Sequence, residues 1–558
     1  MHKNILSAVL SAALLFSALP ITAASKTETD SAEAGKTAER ISITTDGPAS
    51  EIPDDPGYTD VVGHWASDAI GRFKYLGILE GEEENFLPDE PITRGEVAVL
   101  LDRIMHYKTV SEVRFDDTQN HPYEEVILKL RAAGVMLGDE ANRALPDDSV
   151  TREAAVVLIA RAFGFQPTDH EIPDNHEQKD DPQAETFVYT DYDTISDWAQ
   201  GYILAMTDAG FLHGSDGGNF FPLDSLTRAE AVTVLSNMIT TYIDKPGDYN
   251  YRPYTGLADF VIIASDDVTL LYYDIGGNII LTEGVDYESI RFKTCNHYGK
   301  ILTYTEGEFV RYLKAASYIV PINENLPVST YNPDLFVKDE NGIMKYLDDT
   351  RPSFIGVDVS SWQGSVNWKK LKQEGVYFAF IRVGYRGYES GKLSTDTYFR
   401  ENIEGALKAG IKVGVYFFSQ ALDAQEAYDE AMYVLDLIED YDISFPVVFD
   451  WETIDASTAR TNNIDKENLC QAANAFCTTV QEAGYIPMVY CNQSVSLLYY
   501  ELSRINAYDF WYAEYRDKPT FYYDFDIWQY SCTGKFKGVP EADVDVNISF
   551  VDYSKLKP

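Results

Sequence analysis

Basic residues are scarce in this 558-residue sequence: 45 lysines and arginines face 89 acids, for a formal net charge of −44. That balance argues against nucleic acid as a partner and against electrostatic adsorption to an anionic membrane. Holding an anionic polymer would take a local cationic site, because the overall field repels it. Cysteine is also scarce, with only Cys295, Cys470, Cys477, Cys491 and Cys532. Cys470 and Cys477 fall on one expected helix, about 10 Å apart along its axis, too far for easy bridging. A Cys491–Cys532 bridge has no spacing rule behind it. None of the five has metal-ligand spacing, so no metal or cofactor is expected and stability must come mostly from packed cores. Long apolar runs are missing too, except Ile5 to Leu19. That run follows Met1-His2-Lys3-Asn4 and precedes Thr22-Ala23-Ala24, the pattern of a cleaved secretory signal over residues 1–24. It is short for a membrane span, and no other candidate follows, so an exported chain without a span in its mature form is expected.

What is present begins with composition. Residues 25–56, rich in Ser, Thr, Ala, Glu and Asp without apolar period, read as an acidic, flexible tether. A threefold repeat follows. Its clearest mark is a glycine-framed apolar core: Gly77-Ile78-Leu79-Glu80-Gly81, Gly134-Val135-Met136-Leu137-Gly138 and Gly210-Phe211-Leu212-His213-Gly214. Trp65, Pro122 and Trp198 stand at one common offset before it, and Thr93-Arg94, Thr151-Arg152 and Thr227-Arg228 follow it. Each copy reads as helix, glycine-capped turn, loop and a second helix N-capped by the threonine, over 57–108, 113–166 and 188–244. The acidic stretch 165–188 reads as a loop between copies two and three. Residues 250–350 suggest a small β-rich region, from runs such as Val268 to Tyr273 and Ile279 to Leu281. Its role is not legible.

From residue 353 to the end, short apolar strands alternate with helices, the pattern of a parallel α/β barrel with an irregular, helix-poor close. Function in such barrels gathers at the C-terminal strand ends. The run Pro446 to Phe449 ends in Asp450-Trp451-Glu452. Alternation along a strand puts both acids on one side, about 6.6 Å apart. Two carboxyls facing one space drive their pKa values apart, as acid/base cleavage of a glycosidic bond requires. Asp358 ends the first strand, and Asp545 can join the same mouth. Aromatic residues Tyr385, Tyr416, Phe418, Tyr490, Trp511, Tyr512, Trp528 and Tyr530 cluster at the other ends, as candidate platforms for sugar rings.

Two resemblances rest on these residues. The repeats resemble the S-layer homology module, with its Thr-Arg-Ala-Glu signature intact at Thr227 to Glu230 and nearly so at Thr93 to Glu96. The second copy reads Thr151-Arg152-Glu153-Ala154 and lacks the tryptophan, so its groove is expected to be weakened. The resemblance implies binding of secondary wall polysaccharide, with Arg94, Arg152, Arg228, Trp65 and Trp198 as candidate contacts. Residues 353–556 resemble glycoside hydrolase family 25, the muramidase-type lysozymes. Gly356-Val357-Asp358-Val359-Ser360, Trp362-Gln363-Gly364, Gly414 to Phe417, Asp450-Trp451-Glu452, Trp528-Gln529-Tyr530 and Asp543 to Asn547 carry that likeness. It implies a (β/α)₅β₃ barrel that hydrolyses the β-1,4 bond between N-acetylmuramic acid and N-acetylglucosamine in peptidoglycan. By position Glu452 would be the general acid and Asp450 the carboxylate that supports the substrate acetamido group or the developing cation. Asp358 and Asp545 would complete an acidic floor, and Gln529 would touch substrate. A wall-bound, secreted autolysin is the expectation. A non-catalytic adhesion protein and a hydrolase of another amino-sugar polymer stay open.

Overall fold

The computed structural model describes residues 42–44 and 57–556, apart from 81–83, 169–188, 216, 251–259, 298, 306–307 and 341. The expected signal, and most of the expected tether and acidic loop, lie outside the described residues. The chain divides into two compact units, one reaching Ile322 and the other running from Asn323. No described helix is long and apolar enough to cross a membrane.

In the first unit each repeat contributes two helices: α1 Ser67–Tyr75 and α2 Arg94–Met105, α3 Glu124–Ala132 and α4 Arg152–Ala162, α5 Asp197–Asp208 and α6 Arg228–Met238. The first helix of each pair stops at a glycine in the left-handed region, Gly77, Gly134 or Gly210, with φ of 72°, 67° and 79°. Glycine tolerates that conformation without strain, which frees the chain to turn. The second helices start at Thr93, Thr151 and Thr227, whose side chains accept from the backbone N–H three residues on. Asp60, Asp117 and Asp191 each accept two backbone N–H bonds from the strained turns at Leu87, Leu145 and Phe221. Those three non-glycine residues all have positive φ, and the matched strain marks one loop design used in triplicate.

Past α6 the same unit changes period. Strands Ile239–Ile243, Phe260–Ile263, Ile279–Leu281 and Ile301–Thr305 pair in parallel, one after another. A second parallel row stacks Gly247–Asn250, Val268–Leu271 and Arg291–Lys293. Successive coils are thus about twenty residues apart, a parallel solenoid that closes in an antiparallel run, with Ile301–Thr305 against Glu308–Ala315 and that strand against Tyr318–Pro321. Ile243, Ile263, Val268, Leu270, Ile279, Leu281, Phe292 and Ile301 fill its interior. The expected β-rich region is therefore present but divides at Asn323. Ser42–Thr44, inside the stretch read as a tether, lies parallel to Gly247–Asn250. A solenoid edge offers unpaired backbone groups, and Ile43 between two hydroxyl residues suits a strand.

The second unit is a closed eight-stranded barrel: β1 Phe354–Val359, β2 Phe378–Arg386, β3 Lys412–Ser419, β4 Val447–Trp451, β5 Pro487–Asn492, β6 Asp509–Ala513, β7 Ile527–Phe536 and β8 Val539–Ser549. Neighbours from β1 to β7 run parallel, whereas β8 pairs antiparallel with both β7 and β1. Helices α7 Trp368–Gln373, α8 Phe399–Lys408, α9 Ala424–Ile438 and α10 Lys466–Glu482 cover the first four crossovers. A five-residue π-helical turn, Val495–Tyr499, follows β5, and no α-helix follows among the described residues. The outward faces of β6 to β8 thus need another cover. Residues 323–346 supply it: Tyr331 packs on Phe525 and Phe550, and Phe336 on Trp528. The Tyr331 hydroxyl donates to the Phe525 carbonyl at 2.7 Å, and the Met344 N–H to the Tyr530 hydroxyl at 3.1 Å. All five cysteines are free.

Candidate active site

Strand alternation decides what reaches the barrel mouth. Asp358 is the second-last residue of β1 and lies directly opposite Asp545 in the antiparallel β1–β8 pair. Asp450 is the fourth residue of β4, and Glu452 follows that strand's last residue. Asp358 is buried and accepts from Gln529 Nε2 and Asn547 Nδ2, each at 2.8 Å. Those donors are held in turn. Tyr490 and Tyr515 hydroxyls donate to Gln529 Oε1 at 3.0 and 3.1 Å, and the Trp511 indole N–H donates to Asn547 Oδ1 at 2.8 Å. The network fixes one oxygen of Asp358 from two sides.

Four carboxyls in one low-dielectric space cannot all ionise cheaply. Burial, and then repulsion from Glu452 and Asp358, drives Asp450 well above the usual range, opposed by Arg382. Burial, with Asp358 nearby, raises Glu452 to about 7, and burial raises Asp358 to about 6 against its two amide donors. Asp545 is pushed to about 8 by burial and by Asp358 and Glu452. Asp450 Oδ1 is buried and makes no hydrogen bond. An unmet buried acceptor costs about 1–3 kcal/mol, and such vacancies collect where a ligand completes them.

Arg382 is the cation of this site, and sequence reasoning missed it. It stands mid-strand in the apolar run Phe378 to Val383, where a charge is costly unless paired. Asp396, itself buried, pairs with it at 2.7 Å, and the Ser361 hydroxyl accepts from it at 3.1 Å. One extra residue in β2 opposite β3, between Arg382 and Gly384, shifts the register. That bulge brings Tyr385 round to pair with Phe418, so both sit at the mouth. Trp362, beyond β1, and Tyr515, beyond β6, also expose their rings there, at 53% and 54%. The aromatic identity of Trp362 and Tyr515 was visible, but loop residues have no period to assign their direction.

The aromatic candidates therefore separate. Tyr385 and Phe418 are at the mouth. Tyr416, Tyr490 and Trp511 are buried inside the barrel, and the last two act through hydrogen bonds rather than as open platforms. Trp528 is corrected outright: it is fully buried on the outer face of β7, edge-on to Phe336, its indole N–H donating to the Glu514 carbonyl at 2.9 Å. Gln529 points inward, so its neighbours Trp528 and Tyr530 must point outward. Tyr512 is outward for the same reason and stacks on Phe521.

The repeats meet in a ring. Backbone N–H groups of Arg94, Arg152 and Arg228 donate to Asp148, Asp224 and Glu90 carbonyls, so each copy holds the next and the third holds the first. The glutamate of each intact signature also pairs with the arginine of its neighbour, as Glu96 with Arg228 and Glu230 with Arg152. The second copy has Ala154 at that place, and its loss falls on Arg94. Arg94 donates through Nε to the Ala144 carbonyl at 2.8 Å but has no carboxylate in ion-pair contact among the described residues. The sequence departure thus changes the first junction, not the one holding Arg152. Trp65 and Trp198 expose their rings at 63% and 52%.

Comparison with known proteins agrees with these divisions. Residues 357–539 match the family "Glycosyl hydrolases family 25", and residues 57–98, 114–156 and 188–232 match the S-layer homology domain. Among curated relatives, an amylopullulanase of Thermoanaerobacterium thermosulfurigenes is 28% identical over 188 residues, 33% of this chain and 10% of that protein. Lysozyme M1 of Streptomyces globisporus is 40% identical over 65 residues, 12% of this chain and 20% of that protein. The chain spans 10%, 17% and 21% of the first three curated relatives. Among solved structures, a family 25 glycosyl hydrolase from Bacillus anthracis is 24% identical, with a TM-score of 0.31, covering 37% of this chain and 91% of that one.

Proposed function

We propose, from a family 25 glycoside hydrolase domain joined to three S-layer homology domains, that this exported surface protein is a wall-bound muramidase. It cuts the β-1,4 bond between N-acetylmuramic acid and N-acetylglucosamine and is held to the wall through a secondary polysaccharide. The observation that carries the reading is the gathering of Asp358, Asp450, Glu452 and Asp545 at one mouth, beside the half-buried cation Arg382.

Glu452 serves as general acid toward the leaving oxygen. Asp450 presents its unpaired Oδ1 to the substrate acetamido N–H and supports the developing positive charge. The two carboxyls share protons as a coupled pair. Positive charge growing beside Asp450 favours its ionised form and, through their repulsion, keeps the proton on Glu452. The i, i+2 spacing of about 6.6 Å along the strand suits assistance by the acetamido group better than attack by a close nucleophile. Release of soluble fragments from purified peptidoglycan, with none from chitin, is the expected result. Equal release from chitin would move the enzyme to another amino-sugar polymer.

The pH profile should be a bell with its maximum on the acid side of neutral. Glu452 carries its proton below about 7, so the alkaline limb is its loss. Asp358 takes up a proton below about 6, and the acid limb reports the cluster losing its negative charge. Initial rates on soluble glycan across pH 4–9 check this, and a rate still climbing above pH 8 would remove Glu452 as the acid.

Anchoring is assigned to the repeats. Arg94 should dominate because its guanidinium is not already engaged in an ion pair among the described residues. Arg94→Ala is expected to weaken sedimentation of the full chain with polymer-bearing wall sacculi by about tenfold or more, the loss of one charge-assisted hydrogen-bonding group. Arg152→Ala and Arg228→Ala should cost the bound polymer less, since each guanidinium is already engaged by an internal ion pair. A larger effect at Arg152 would contradict the assignment.

A further inference from the structure

A second site lies on the flank of the barrel. A groove of about 740 Å³ is lined by Ser365 to Lys370, by Gly405, Lys408 and Ala409, and by Lys537, Gly538 and Pro540. Its walls hold Lys369, Lys370, Lys408 and Lys537 and no acidic residue. All four lysines are exposed, and none is in an ion pair among the described residues. In a chain with 89 acids against 45 bases, four unneutralised cations around one concavity are a marked local reversal of sign.

The floor gives a second, independent sign. Trp368 is 4% exposed, yet its indole N–H has no hydrogen-bond partner. It packs over Gly405, where an added Cβ would lie 2.4 Å from the ring and 2.9 Å from Nε1. A glycine lets the indole lie flat at the groove floor. A buried donor is normally satisfied, so an unmet one among lysines marks the place of an acceptor. Two neighbouring acids are turned to other work. Glu374 accepts the Lys537 and Gly538 backbone N–H groups at 3.0 and 3.2 Å, and Glu401 accepts the Ser365 hydroxyl at 2.8 Å.

We infer that this groove binds an anionic polysaccharide of the wall, with one acidic group against Trp368 Nε1 and further ones along the lysines. Its placement supports an extended contact. The segment Ser360–Lys370 runs from the catalytic mouth into the groove, and β8 runs back from Pro540 to Asp545. A polymer attached to the strand being cut can therefore span both. Phosphodiester and carboxylate groups share the chemistry this site reads, and the two sources are separated by experiment. The strong negative field of the whole chain opposes a long, stiff polyanion such as duplex DNA, while a flexible chain can meet four local cations.

Residue-resolved lysine acetylation of the full chain tests this, with lipid-free poly(glycerol phosphate) in one arm and polygalacturonate in the other. Protection of Lys369, Lys370, Lys408 and Lys537 at least threefold beyond Lys466 and Lys555 is expected in one arm or both, and the protecting arm identifies the acid. In the quadruple lysine-to-Gln variant, binding of that polymer should fall at least tenfold when measured in an Arg94→Ala background. Cleavage of short soluble glycan should be unchanged, because none of the four reaches the catalytic mouth. Trp368→Phe should weaken binding severalfold without change in circular dichroism. Equal labelling at groove and control lysines in both arms would overturn the inference. So would tighter protection by a single-stranded oligonucleotide than by either polymer. Binding is read without turnover, so failure here leaves the muramidase reading standing, and loss of that reading leaves this one testable.

Discussion

Glu452→Gln is expected to lower glycan cleavage by on the order of 10² or more while fragment binding survives. The amide keeps the side chain's shape and hydrogen-bonding reach but has no proton to give. Glu452 lies just past β4, half-buried beside Asp450, and its backbone carbonyl is held by Gln420 Nε2 at 2.8 Å. The substitution should therefore leave the loop in place. Trp362, Tyr385 and Tyr515 keep their exposed rings, so affinity for short fragments should stay within about twofold. Turnover by the variant at the wild-type rate would remove the general-acid role.

Asp450→Asn should be almost as damaging, on the order of 10² in kcat, for a different reason. The residue is buried against Arg382, and its ionised form is the charge placed nearest the anomeric centre in this account. Removing it leaves Arg382 facing Asp396 alone and places a neutral amide where positive charge develops. The pH profile separates the two variants. With Asp450 gone, Glu452 loses one repulsive neighbour, so the alkaline limb should move to lower pH. Asp358→Asn and Asp545→Asn should cost less and act partly through affinity. A fall in kcat for Asp450→Asn with no movement of the alkaline limb would break the coupling argument.

Most of the barrel was legible because its strands are short apolar runs bounded by turns. Strands β1 to β7 each contain such a run, whereas β8 does not read as a strand from its sequence. Its alternation from Asp543 to Asn547 places acid and amide side chains on the inner face, so the segment reads first as chemistry. The four carboxylates were legible from strand ends, while Arg382 was not, since nothing local shows that Asp396 comes round to neutralise it. Trp528 failed on direction: an aromatic at a strand end fits platform or outer wall equally until Gln529 is known to face in. The solenoid was hidden because its coils share length and apolar rows but few identities, and a parallel row has no tight-turn signal. The effect of the second copy's departure was not legible for a relational reason. Ala154 is one copy's residue, but its missing carboxylate belongs to a neighbour's junction.

The most direct measurement is the identity of the new reducing end released from purified peptidoglycan by the full chain. Borohydride reduction followed by acid hydrolysis converts that end to an amino-sugar alcohol. Muramic acid should be recovered as its alcohol, with Glu452→Gln yielding at least about a hundredfold less. Glucosaminitol in its place, or muramicitol from the variant at the wild-type rate, would contradict it.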